Sequence, residues 1–212
     1  MASAFVLALL LVLSTLRRTQ WCTVPAGMLH GALALLLTLL LGVRWYIAGH
    51  IPLSNGYETM LFVSFCLTCG TLLVGRTRVR AFGALATAFM LLVAHLGEIN
   101  PQITSLMPVL HSPWLSAHVS IIMVSYALLA LSMVERSLLR LTINRIASAG
   151  LRANRKSYLA LAAGIFLGAV WANVSWGTYW SWDPKESWAL VCLIVYSMPL
   201  HTESLPWFRK DS

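Results

Sequence analysis

What most constrains this chain is a succession of apolar runs, at residues 2–16, 26–47, 57–75, 81–96, 117–134, 158–174 and 187–200, parted by short polar stretches. A bilayer interior offers no water to backbone N–H and C=O groups. Only helices of about 20 residues, or closed barrels, can cross it. These runs are continuous rather than alternating in polarity, which selects helices. Composition agrees: 10% of residues are charged and 58% hydrophobic, with a mean hydropathy of +0.76. A soluble domain carries roughly 25% charged residues. The sequence predicts an all-α polytopic membrane protein with about seven transmembrane helices, forming a single membrane domain over residues 1–212. Runs shorter than a full span are expected to extend at their ends. The first run has the length of a signal peptide. Its basic residues, Arg17 and Arg18, follow the apolar core instead of preceding it, so it is expected to be a short first span.

The net charge of +8 does not point to nucleic acid, because the cations sit in short clusters between apolar runs. All but Arg44 and Lys185 of the 15 Lys and Arg residues fall on one side of the alternating spans. That side is the cytoplasm by the positive-inside rule. The expectation is a multi-pass protein of a bacterial inner membrane, amino terminus outside and carboxyl terminus cytoplasmic. The loops at 50–56, 97–116 and 175–186 then face outward. Arg44, at a helix end, can snorkel. Residues 135–157 interleave cations with Leu138, Leu139, Leu141, Ile143 and Ile146, and are expected to lie on the inner leaflet as an interfacial helix against anionic lipid.

Cys22, Cys66, Cys69 and Cys192 lie in or beside apolar runs, so no disulfide framework is expected. Cys66 and Cys69 form a CxxC within a helix and read as small packing residues. There is no CxxCH, so the chain is not itself a c-type cytochrome.

The chemistry concentrates between the last two runs. Trp171, Trp176, Tyr179, Trp180, Trp182 and Trp188 crowd one outward loop and its flanks. An interfacial belt usually places one or two aromatics per helix end. This density instead suits a flat apolar platform for a large planar ligand. Asp183-Pro184-Lys185-Glu186 reads as a helix start: Asp at the N-cap, Pro at the first position and Glu completing a capping box. Asp183 is therefore expected to cap rather than to act as an acid.

The segment WGTYWSWDPKESWAL, residues 176–190, resembles the tryptophan-rich "WWD" signature of the CcsA/ResC haem-handling proteins of cytochrome c biogenesis, System II. RWYIAGHIPLSNGYE (44–58) resembles that family's second outward loop. NPQITSLMPVLHSPWLSAHVSIIMVSY (100–126) resembles the loop and helix before the WWD element. The resemblance implies that haem b, as substrate, is held at the outer surface on Trp176, Tyr179, Trp180, Trp182 and Asp183. Its iron would be ligated by histidines flanking that element. It further implies haem attachment to the CxxCH of an apocytochrome c, together with a ResB-type membrane partner, in a cytochrome c synthase (haem lyase) complex.

His118 matches the first flanking histidine and is expected to ligate the outer haem iron. His201 matches a histidine of the helix after the element. It lies 13 residues beyond Trp188, about 20 Å of helix, so it belongs near the inner face. With His30 at similar depth, it frames a possible inner-side haem site, or the two are hydrogen-bonded interfacial histidines. His50, His95 and His111 read as solvated or loop-bonding residues, and Glu58 as a helix-end charge.

The family pattern continues past the region of His201 with one more helix, returning outward to a GLHSY-like segment that supplies a second flanking histidine. The present sequence runs from His201 through TESLPWFRKDS without it. Three expectations follow: a partner subunit supplies the second ligand, His111 or His50 substitutes, or the chain is a truncated, non-catalytic assembly subunit. A haem transporter or delivery module without attachment activity, in the manner of the related CcmC family, is the alternative function.

Overall fold

The computed structural model describes residues 23–75, 77–96, 102–103, 110–140 and 147–201. The expected first span, residues 141–146 and the tail after His201 lie outside the described residues. All the regular structure among them is helical: α1 (Thr23–Ala48), α2 (Gly56–Val74), α3 (Thr77–Leu96), α4 (Pro113–Arg140), α5 (Ala147–Trp176), α6 (Pro184–Ser197) and a closing 3₁₀ turn at Met198–His201. Among the described residues, four stretches are long and apolar enough to cross a membrane: Gly27–Ala48, Gly56–Val74, Pro113–Val134 and Asn154–Trp176. Val79–His95 is a shorter apolar helix. The chain divides into two compact units, Met1–Ser112 and Pro113–Ser212.

In the first unit, Leu33, Leu37 and Leu41 of α1 recur every fourth residue and so share one face. They pack with Leu61 of α2 and Ala81, Ala84, Ala88 and Leu91 of α3. Leu35, Leu36, Leu39 and Leu40 on the remaining faces of α1 are exposed, the pattern of a helix in hydrocarbon rather than water. Asn55 caps α2, its Oδ1 accepting from Glu58 N at 2.9 Å. Gly75 closes that helix in the left-handed region at φ 72°, donating to Thr71 O. Small residues let α2 and α3 close up: a Cβ on Gly83 would lie 2.0 Å from Thr71 Cγ2.

In the second unit, α4 and α5 pack along their length around Ile122, Leu129 and Leu161, with Cys192, Leu193 and Tyr196 of α6 against them. The basic segment 135–157 does not form a separate helix within its described residues. Residues 135–140 continue α4 and residues 147–157 begin α5. Nothing in Ser137-Leu138-Leu139-Arg140 breaks a helix, and extending an existing helix costs far less than nucleating a new one.

Candidate functional site

The aromatic loop is built by two helix ends. Gly177, at φ 78°, turns the chain out of α5 while its N–H bonds to Asn173 O. At the other end Asp183 Oδ1 accepts from Glu186 N at 2.8 Å, and Glu186 Oε2 accepts from Asp183 N at 3.3 Å, so the expected capping box is formed. The same Oε2 accepts from Ser181 N at 2.8 Å. One carboxylate thus ties the loop to the first turn of α6, and Asp183 is engaged as a cap.

Between these anchors Trp182 holds φ 59°, the one positive-φ residue other than glycine among the described residues. A bulky side chain there is strained, by about 1–2 kcal/mol. The turn sets the Trp182 ring edge-on to Trp180, with centroids 5.9 Å apart at 83°. Trp171 and Trp176 form a second edge-on pair at 6.3 Å. Trp176, Tyr179, Trp182 and Trp188 are all more than 60% exposed. Trp180 is half-buried, and its indole N–H is enclosed without an acceptor. A buried donor left unpaired costs about 1–3 kcal/mol, which an acceptor on a bound ligand would recover.

His118 stands in the second turn of α4, half-buried, with Nδ1 2.7 Å from Gly164 O of α5. A carbonyl only accepts, so Nδ1 carries the proton and Nε2 keeps its lone pair. Among the described residues Nε2 has no hydrogen-bond partner. The ring rests against Gly168, where an added Cβ would fall 2.3 Å from Cε1. Gly168 lies eight residues before Trp176, about 12 Å down α5. The aromatic loop and His118 therefore share one unit and one helix, with the histidine two turns below the loop.

The other histidines are placed differently. His30 is fully buried in the first unit, its Nε2 2.8 Å from Thr71 Oγ1 and 3.2 Å from Thr68 O. Thr71 gives its own hydroxyl proton to Thr68 O at 2.9 Å, so Nε2–H of His30 must donate to both oxygens. Nδ1 is enclosed without a partner. His201 is exposed in the 3₁₀ turn of the second unit. His50 donates from Nδ1 to Ile51 O at 3.1 Å, as expected for a loop-bonding residue, and His95 and His111 are exposed. Among the described residues no group of three or more His, Cys, Asp or Glu could hold a bare metal ion. An iron already held by a porphyrin needs only axial ligands, and an unprotonated imidazole nitrogen such as Nε2 of His118 supplies one.

Sequence reasoning did not find Gly164 and Gly168, although GIFLG in an apolar span carries the small-x-x-x-small signal for close helix packing. It also separated Arg44 from Glu58, which the structure joins in a 3.1 Å salt bridge.

Residues 53–212 match the family model described as Cytochrome C assembly protein. The chain is 38% identical over 184 residues to Protein NrfI of Wolinella succinogenes, covering 79% of this chain and 20% of that protein. It is 36% identical over 217 residues to the Cytochrome c biogenesis protein CcsA of Parasynechococcus marenigrum, covering 79% and 70%. To the Cytochrome c biogenesis protein CcsA of Chlamydomonas reinhardtii it is 37% identical over 199 residues, covering 81% and 55%. The chain thus spans one fifth of NrfI, and from about half to somewhat over two thirds of the CcsA relatives. With the match running from the loop before α2 through every later helix, the chain belongs to the cytochrome c assembly protein family, among relatives of the CcsA type.

Proposed function

We propose that this chain is the haem-binding membrane subunit of a cytochrome c assembly machine, presenting haem at the outer face of the inner membrane for covalent attachment to apocytochrome c. The observation that carries this reading is the pairing, in one unit, of a tautomer-fixed His118 with an exposed aromatic loop. Haem is substrate here. Its iron accepts Nε2 of His118, and its apolar face rests on Trp176, Tyr179, Trp180 and Trp182. In this reading α1 to α6 and the first apolar run make about seven spans in one domain, with the WWD loop outward. The cation clusters put the amino terminus outside and the carboxyl terminus in the cytoplasm.

Attachment adds a cysteine S–H across a haem vinyl group: a carbon–sulfur bond forms, the proton goes to the other vinyl carbon, and no electrons leave. This chain's part is positioning, which converts an encounter into an oriented reaction. A ResB-type partner and the apocytochrome complete the assembly. An inner-side haem contact falls to the exposed His201 rather than to His30, whose free nitrogen is enclosed.

The test is maturation of a reporter c-type cytochrome in cells carrying this chain, with and without a ResB-type partner. Covalent haem on the reporter, lost when Trp180 and Trp182 are replaced by Ala, is the expected result. Haem bound by the chain but never transferred, even with the partner present, would overturn attachment in favour of delivery.

A further inference from the structure

We infer that Gly164 and Gly168 of α5 are positioning residues for His118, together forming a seat that fixes both the ring and its tautomer. This rests on the haem reading above and adds to it the part of the fold that prepares the ligand.

The seat is reciprocal. On α4, His118 and Ile122 are four residues apart and so lie one above the other; on α5, Gly164 and Gly168 do the same. The helices run antiparallel, and the two rows interlock. A Cβ at Gly168 would stand 2.3 Å from Cε1, 2.6 Å from Nδ1 and 2.9 Å from Nε2 of His118. A Cβ at Gly164 would stand 2.8 Å from Ile122 Cδ1. Any side chain at 168 therefore occupies the volume of the imidazole itself.

Gly168 has a second effect. In a helix its N–H bonds to the carbonyl of residue 164, and a side chain at 168 would lie beside that oxygen. Without one, Gly164 O is open on its other lone pair, which His118 Nδ1–H takes at 2.7 Å. That bond sets the proton on Nδ1 and leaves Nε2 as the ligating atom. A carbonyl acceptor on the far nitrogen also raises the basicity of a ligating imidazole. One missing methyl group thus admits the ring and uncovers its acceptor.

The experiment uses the full chain in detergent, apo and haem-loaded. In the apo protein, two-dimensional nitrogen–proton spectra are expected to show His118 protonated on Nδ1; an Nε2–H tautomer overturns the inference without any variant being made. In the loaded protein, Gly168→Ala is expected to weaken haem binding about 10–100-fold and to lose the histidine-ligand signature from the optical spectrum. A packing role alone is separated by a cycle. In a His118→Gly background supplied with imidazole, adding Gly168→Ala is expected to change affinity less than about twofold. Equal losses in both backgrounds overturn the inference, as does a wild-type spectrum in Gly168→Ala. If His118→Ala leaves the wild-type spectrum unchanged, the haem-ligand reading fails, while the apo tautomer still decides the seat.

Discussion

Arg44 and Glu58 form a salt bridge of 3.1 Å whose carboxylate side chain is fully buried. Both carboxylate oxygens are satisfied. Oε1 accepts from Arg44 Nε at 3.2 Å and Nη2 at 3.1 Å, and Oε2 accepts from Ser54 N at 2.9 Å and Ser54 Oγ at 2.6 Å. The guanidinium also lies over the Tyr57 ring, 5.0 Å from its centroid. The pair thus ties the end of α1 to the start of α2 and holds the loop between them.

Breaking a buried pair from one side leaves a charge without its partner, at a cost of about 3–5 kcal/mol. Arg44→Ala, which leaves the buried Glu58 carboxylate without its guanidinium, should destabilise the protein on that scale in detergent denaturation, and Glu58→Ala by less. They should also open residues 49–55 to protease. The double variant should cost clearly less than the two singles summed, because the buried Glu58 carboxylate is then no longer left without its guanidinium. Additive losses would show that the two groups act separately.

Asp183 is engaged as a cap, which separates it from an acid by a single substitution. Asn caps a helix about as well as Asp, whereas Ala costs about 1 kcal/mol. Asp183→Asn should therefore keep reporter-cytochrome maturation near wild type, and Asp183→Ala should lower stability and maturation together. Loss of maturation in a well-folded Asp183→Asn protein would mean that the carboxylate takes part in the chemistry.

Trp182 stores strain at φ 59° that glycine would release. Trp182→Gly is expected to fold with unchanged or slightly raised thermal stability, by up to about 1 kcal/mol, yet to retain haem poorly. A variant that binds haem as well as wild type would remove Trp182 from the platform.

His30 is bound into the α1–α2 contact by two acceptors. His30→Ala should lower stability by about 1–3 kcal/mol through the lost hydrogen bond and the space left behind. Its optical spectrum with haem should match wild type. Loss of a histidine-ligand signature in this variant would place a haem at His30.

The parts read correctly from sequence were local ones. The capping box at Asp183 and Glu186 needs four consecutive residues, and the apolar runs declare themselves by length. What escaped was carried across the chain. Glu58 reads as a helix-end charge until Arg44, 14 residues earlier, is folded against it, and Gly168 has no meaning until His118 arrives from 50 positions away. The basic segment 135–157 continues α4 and opens α5 within its described residues, because its amphipathic spacing suits two long helices running on as well as it suits one helix of its own. Periodicity cannot tell those cases apart.

The most direct measurement is the optical spectrum of the purified full chain loaded with haem, beside that of His118→Ala. Ligation by His118 predicts a histidine-ligated haem in the wild type and loss of that signature in the variant, restored in part by added imidazole. An identical spectrum in both proteins, with equal haem affinity, would contradict it.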